Sequence, residues 1–173
     1  MIIIVLCCAA FYAGTTSQVH TMYLSKPLNM KNGSLSAIVY TGTSVQSEKL
    51  GKNWIIRRQF WISNEGELFE SSASEAPIGN IKSGSVENGG SYATFSAAVK
   101  EGHLVCNLKD AITEMDVLYY ERCGTCHRAY DPEMYTAAHW KKILESMKTL
   151  SGISRQEEIQ IMRYLSLLAK SED

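Results

Sequence analysis

The pentapeptide Cys123-Gly124-Thr125-Cys126-His127 constrains this chain more than any other feature. Two thiols separated by two residues can each add to one vinyl group of a single haem. The histidine that follows is then placed under the ring as the proximal iron ligand. The same stretch therefore implies a cofactor, a compartment and a reaction class. One such motif stands in the chain, so one covalently attached haem c is expected.

A C-x-x-C pair alone is less specific, because zinc knuckles and dithiol redox sites share it. A zinc site needs two more thiolates or imidazoles at ligand spacing. The other cysteines are Cys7 and Cys8, in an apolar N-terminus, and the solitary Cys106. The other histidines, His20, His103 and His139, show no paired spacing. A dithiol oxidoreductase would place its cysteines just after a hydrophobic strand, at a helix start. Residues 110–122 instead read as helical, with no β-branched run.

The chain has 173 residues, enough for one ordinary domain or two small ones, and a formal charge of −1. That balance gives no reason to expect nucleic acid as a partner. Residues 1–14 are almost wholly apolar and too short to span a bilayer. They resemble the apolar core and small-residue end of a secretory signal, with cleavage near Ala9 or Ala10. A buried strand is the competing reading, but covalent haem attachment in bacteria takes place outside the cytoplasmic membrane, which favours export to the periplasm. No Lys or Arg precedes Lys26, so the basic n-region is missing and the true start is left open upstream. Neither Cys7 nor Cys8 follows a good lipobox, and a lipid anchor is not favoured. Cys106, in His103-Leu104-Val105-Cys106, reads as a buried strand thiol.

Two grammars divide the rest. Residues 21–109 carry short β-branched or aromatic runs separated by Gly, Ser and Asn. Ala37-Ile38-Val39-Tyr40, residues 53–63, Glu67-Leu68-Phe69 and residues 91–99 are the clearest. Asn64-Glu65-Gly66 and Asn88-Gly89-Gly90 are turn signals. This pattern predicts a small antiparallel β barrel or sandwich, with an SH3-like form among the candidates. No catalytic constellation stands in it, and a scaffold or docking module is the plain reading. Residues 110–173 are helical in grammar. Residues 111–122 lead into the motif. Thr136 caps a helix with Trp140, Ile143, Leu144 and Met147 on one stripe. Ser154 and Glu157 form a capping box before a helix bearing Ile161, Met162, Leu165 and Leu168. Residues 148–153 are expected to be a short loop. The fold class is thus α+β: a strand-rich domain followed by a small all-α c-type cytochrome domain.

An iron held by His127 has one further axial position, whose occupant separates an electron carrier from a reactive centre. Met147 is the first candidate, because it ends the apolar stripe just before the final helix. Its competing role is plain core packing. His139, one residue before the stripe, is second. Met134, in Asp131-Pro132-Glu133-Met134, is third, and an open site is the remaining alternative. Met115 and Met162 read as ordinary core.

The stretch Tyr119-Tyr120 before the motif carries a resemblance, together with Tyr135-Thr136-Ala137-Ala138-His139-Trp140, Ile143-Leu144-Glu145-Ser146-Met147 and Tyr164-Leu165. It resembles the C-terminal monohaem domain of the multihaem c-type cytochromes that serve periplasmic trimethylamine-N-oxide reductases. Gly51-Lys52-Asn53-Trp54 matches the segment before that domain more weakly. The resemblance implies a periplasmic electron-transfer protein that delivers electrons to a molybdenum N-oxide or S-oxide reductase. The family's tetrahaem quinol-oxidising module has no counterpart motif here, which implies a separate cytochrome or quinol-oxidising complex as donor. His139 stands where relatives often carry a polar amide, which keeps imidazole ligation open.

Three functions compete on these residues. A one-electron carrier needs no catalytic residue, and Lys141, Lys142 and Lys148 would supply either a docking rim or simply a solvated helix face. A haem enzyme or gas sensor would need an open or displaceable sixth site and a distal acid–base group, for which His139 is the candidate. A haem-free binding module would use the strand domain, with Cys123 and Cys126 joined as a disulfide.

Overall fold

The computed structural model describes residues 19–72, 74, 76–84 and 90–171. The expected signal segment with Cys7 and Cys8 lies outside the described residues, as does the Asn88-Gly89 part of one turn signal. Among the described residues nine strands come first: β1 (Val19–Leu24), β2 (Leu28–Asn32), β3 (Leu35–Val39), β4 (Ser44–Leu50), β5 (Asn53–Ile62), β6 (Glu67–Phe69), β7 (Gly79–Ser83), β8 (Ser91–Lys100) and β9 (Leu104–Val105). Three helices follow: α1 (Leu108–Cys123), α2 (Ala137–Ser151) and α3 (Arg155–Leu168), with a single 3-10 turn at Pro132–Met134.

The strands are antiparallel, in the order β6-β7-β3-β2-β8-β5-β4-β1-β9, and a further β5–β6 pairing closes six of them into a barrel. The closing contact is short, Trp61 opposite Phe69 and Ile62 opposite Leu68. The long seam is β5 on β8, ten residues from Asn53 opposite Lys100 to Ile62 opposite Ser91. Side chains alternate across the pleat, so a strand with one face inside shows a period of two. On β5, Ile56, Phe60 and Ile62 are buried while Arg57 and Gln59 are exposed. Phe60 meets Phe95 of β8 edge to face, ring centroids 5.8 Å apart, at the centre of a core that also holds Met30, Val39, Leu68 and Ile78. Of the two architectures expected, barrel or sandwich, the chain adopts the closed barrel, with β4, β1 and β9 added beside β5.

The helices bury a separate core. Ala111, Ile112, Met115 and Tyr119 of α1 face Trp140 and Leu144 of α2 and Ile161, Tyr164 and Leu165 of α3. All three helix starts are capped by side chains: Asn107, Thr136 and Ser154 accept from Asp110, His139 and Glu157 backbone N–H groups. Two local expectations differ from this. The loop expected over residues 148–153 is mostly helix, because α2 continues to Ser151 and ends on Gly152 in the left-handed conformation. Cys106 is not in a strand. β9 stops at Val105, and the half-buried Cys106 lies where the chain turns into the Asn107 cap.

The two cores meet along the turn between β3 and β4. Gly42 sits there with φ +77, and a Cβ on it would stand 2.6 Å from Leu167 Cδ1 and 3.2 Å from Ile112 Cγ2. Only glycine accepts both the backbone angle and the close approach. Arg163 of α3 crosses the junction and donates from Nε to Thr41 O and from Nη2 to Thr43 Oγ1, each at 3.4 Å. Burial pulls the Arg163 guanidinium down to about 10, partly offset by the nearby Glu70 carboxylate.

Candidate functional site

α1 delivers the motif. Cys123 is its last residue, and Gly124 N–H donates to Tyr120 O at 3.0 Å while the Thr125 hydroxyl donates to Glu121 O at 2.7 Å. A Cβ at Gly124 would stand 2.4 Å from Tyr120 O, so the first residue between the cysteines must lack one for this turn to close. Cys123 and Cys126 are both free thiols. Burial pushes the Cys123 thiol up, the reverse of the depressed values that make redox-active dithiols reactive.

His127 Nδ1 lies 2.9 Å from the backbone carbonyl of Arg128. A carbonyl only accepts, so this contact places the proton on Nδ1 and leaves the Nε2 lone pair to bind a metal. A ligating histidine needs that tautomer, together with the fixed ring orientation that such a contact confers. The Tyr130 ring packs beside the imidazole, centroids 5.7 Å apart.

Cys123, Cys126, His127 and Met147 line a single cavity of about 280 Å³, with Ile143 and Leu150 of α2 among its apolar walls. Met147 is 42% exposed and Leu150 78% exposed, large apolar side chains that the protein itself leaves uncovered at this cavity. An apolar disc bearing two vinyl groups fits the donor set: two thiols, one imidazole with its Nε2 available, and one thioether. Arg122 is the fully charged side chain on the lining, and both its Nε (2.9 Å) and Nη2 (2.6 Å) donate to Glu157 Oε1. The Ser154 backbone N–H and hydroxyl, and then Arg122, hold the Glu157 carboxyl at about 2.

The other ligand candidates lie elsewhere. His139 is exposed, stacked on Tyr135 with centroids 4.5 Å apart and planes 10° from parallel, and is outside the cavity lining. Met134 is half exposed on the 3-10 turn and also outside it. Met115 is buried in the helical core, and Met162 packs against that core. The three lysines do not form one rim at the cavity. Lys141 and Lys148 line a different cleft, between α2, α3 and the barrel, where Lys148 pairs with Glu158 at 3.5 Å; Lys142 is exposed on α2. Among the described residues, no three His, Cys, Asp or Glu side chains gather as a metal site requires.

Sequence reasoning missed the polar handles beneath the cavity. Tyr119 Oη donates to Tyr130 O at 2.7 Å, and Trp140 Nε1 donates to Pro132 O at 2.8 Å. The periodicity marked Trp140 as buried, but no local pattern names the carbonyl it would find.

The sequence profile of the dihaem cytochrome c family matches residues 119–173. The match runs from the second half of α1 through the motif to the end of the chain, and it supports a c-type cytochrome domain carrying haem c. No curated protein and no solved structure matches.

Proposed function

We propose that this chain is a monohaem c-type cytochrome that relays single electrons outside the cytoplasmic membrane. Its acceptor, on this reading, is a periplasmic terminal reductase of the molybdenum N-oxide or S-oxide type, and its donor a separate cytochrome or quinol-oxidising complex. The observation that carries the reading is the convergence of Cys123, Cys126, His127 and Met147 on one apolar cavity. The family match over residues 119–173 supports the cofactor class, and the reductase partner is what the resemblance of the flanking residues implies.

Haem c, when bound, supplies a one-electron iron couple. The chain's own work is then to hold, orient and shield. Cys123 and Cys126 would carry the two thioether links, one from the last residue of α1 and one from the turn after it. His127 would ligate through Nε2, with Nδ1–H committed to the Arg128 carbonyl. Met147 would supply the sixth ligand, a thioether that favours ferrous iron and raises the potential. Ile143, Leu144 and Leu150 line the cavity and would pack on the ring, giving it an apolar wall.

A second reading has one observation behind it. Met147 is 42% exposed, so packing does not lock its thioether in place, which favours a sixth position that an exogenous ligand displaces. Carbon monoxide added to the reduced protein separates the two. A carrier binds it slowly and incompletely; rapid binding at full occupancy contradicts the carrier reading and supports the haem enzyme or gas sensor.

A further inference from the structure

Tyr119 is buried, 2% exposed, on the same face of α1 as the motif and one helical turn before Cys123. Its ring is wedged between Trp140 and Tyr164, with centroid distances of 6.3 and 5.4 Å, so its hydroxyl has one direction to point. It points at the loop after His127. Residues 128–131 belong to no helix or strand, and Arg128 and Tyr130 are exposed. Among the described residues, no backbone-to-backbone hydrogen bond involves residues 128, 129 or 130. The loop is anchored instead by two buried aromatic donors, Tyr119 Oη–H on Tyr130 O at 2.7 Å and Trp140 Nε1–H on Pro132 O at 2.8 Å. The carbonyl that orients His127 belongs to Arg128, two residues from the nearer anchor.

We infer that Tyr119 is a positioning residue of the iron site, fixing through Tyr130 O the loop whose Arg128 carbonyl receives the His127 Nδ1–H. The inference rests on the haem reading and deepens it. A firmly held acceptor strengthens the Nδ1–H···O bond and makes the imidazole a more basic ligand, which stabilises ferric iron. One helix thereby supplies both a thiol that attaches the ring and a phenol that tunes the ligand on its proximal side.

The test is a redox titration of the covalently loaded full chain, with intact mass checked first. If the unaltered protein carries no haem, the haem reading itself has failed, and that result is distinct from the ones below. In Tyr119→Phe the ring and its packing stay while the hydroxyl is lost. The ferrous-to-ferric ratio at fixed solution potential should rise about threefold. That is smaller than the ~10–100-fold effects of direct partners of ligating histidines, because Tyr119 acts one bond further out. At ~59 mV per tenfold for one electron, threefold corresponds to ~28 mV. Tyr164→Phe is the comparison, since its phenol also donates inside the aromatic cluster, but to Asp116 and away from the loop. It should lower stability and leave the potential in place. An unchanged potential in Tyr119→Phe, or an equal shift in Tyr164→Phe, overturns the inference. Should Tyr119→Phe fail to fold, 3-fluorotyrosine placed at position 119 keeps the hydroxyl and makes it a stronger donor. The potential should then move the opposite way, and no movement overturns the inference as well.

Discussion

Met147 and His139 show how far a single residue can be read before its fold is known. Met147 ends the apolar stripe of α2 and His139 precedes it by one residue, and each carries an atom able to ligate iron. The helix turns Met147 into the cavity and lays His139 flat on Tyr135 instead. The stripe marked Met147 because periodicity reports which face is apolar, although the thioether is left 42% exposed at the cavity. It could not report the Tyr135 stack, which depends on where the preceding loop ends. Met147→Leu keeps the volume and removes the sulfur, so stability should change by less than ~1.5 kcal/mol. The far-red charge-transfer absorption of the oxidised protein should disappear and the reduction potential fall. A band that survives the change contradicts the ligand assignment, and replacing His139 should leave the band intact. Trp140 carries a different kind of information. Its indole fills the core and donates to the Pro132 carbonyl, so Trp140→Phe strands a buried acceptor and should cost about 1–3 kcal/mol in denaturant unfolding. A cost near zero would mean that water replaces the indole there.

Elements stabilised by short-range contacts were the most legible. The Ser154–Glu157 capping box was readable because its partners are three residues apart, and the structure contains both of its hydrogen bonds. The cap makes a pH prediction. The Glu157 carboxyl, ordinarily near 4.5, is held at about 2 in the folded chain. A depressed acid stabilises the fold fully above the ordinary value and loses that contribution as protons bind between about 4.5 and about 2. Acid unfolding followed by circular dichroism should therefore show a slope across that window which Glu157→Gln flattens. The same slope in the variant would contradict it. The strands were less legible. β5 and β8 are long and rich in β-branched or aromatic residues, with Trp54-Ile55-Ile56 and Phe60-Trp61-Ile62 in β5, so they stood out. β2 (Leu-Asn-Met-Lys-Asn) and β4 (Ser-Val-Gln-Ser-Glu-Lys-Leu) are polar on their outer faces, and their inward residues are too few to announce a strand. The β5–β6 hairpin that closes the ring is local, with Asn64-Glu65-Gly66 as its turn, but the ring also needs β2 on β8, which sets Lys31 opposite Ser96, a pairing that no short window of sequence contains.

At the scale of the whole molecule, the barrel and the helices have separate cores and meet where the β3–β4 turn packs on α1 and α3, and where Tyr23 of β1 and Val105 of β9 pack on the helical core. The change in grammar near residue 110 marked where strands give way to helices, and α1 begins at Leu108. Nothing in that change marked Gly42 or Arg163 as the points of contact, which lie more than a hundred residues apart. Gly42→Ala imposes a side chain on a left-handed backbone and presses it against Leu167, so it should cost roughly 1–2 kcal/mol. Thermal unfolding would record this as a lower midpoint, and an unchanged midpoint would mean that the junction yields freely. The claim on which the rest depends is chemical: Cys123 and Cys126 hold a haem. Intact-mass spectrometry of the protein, expressed in an exporting host that has haem-attachment machinery, tests it most directly. The account predicts a mass increased by one haem that resists acid–organic extraction and is lost when Cys123 and Cys126 are both replaced by serine; a colourless protein of unmodified mass from that host would contradict it.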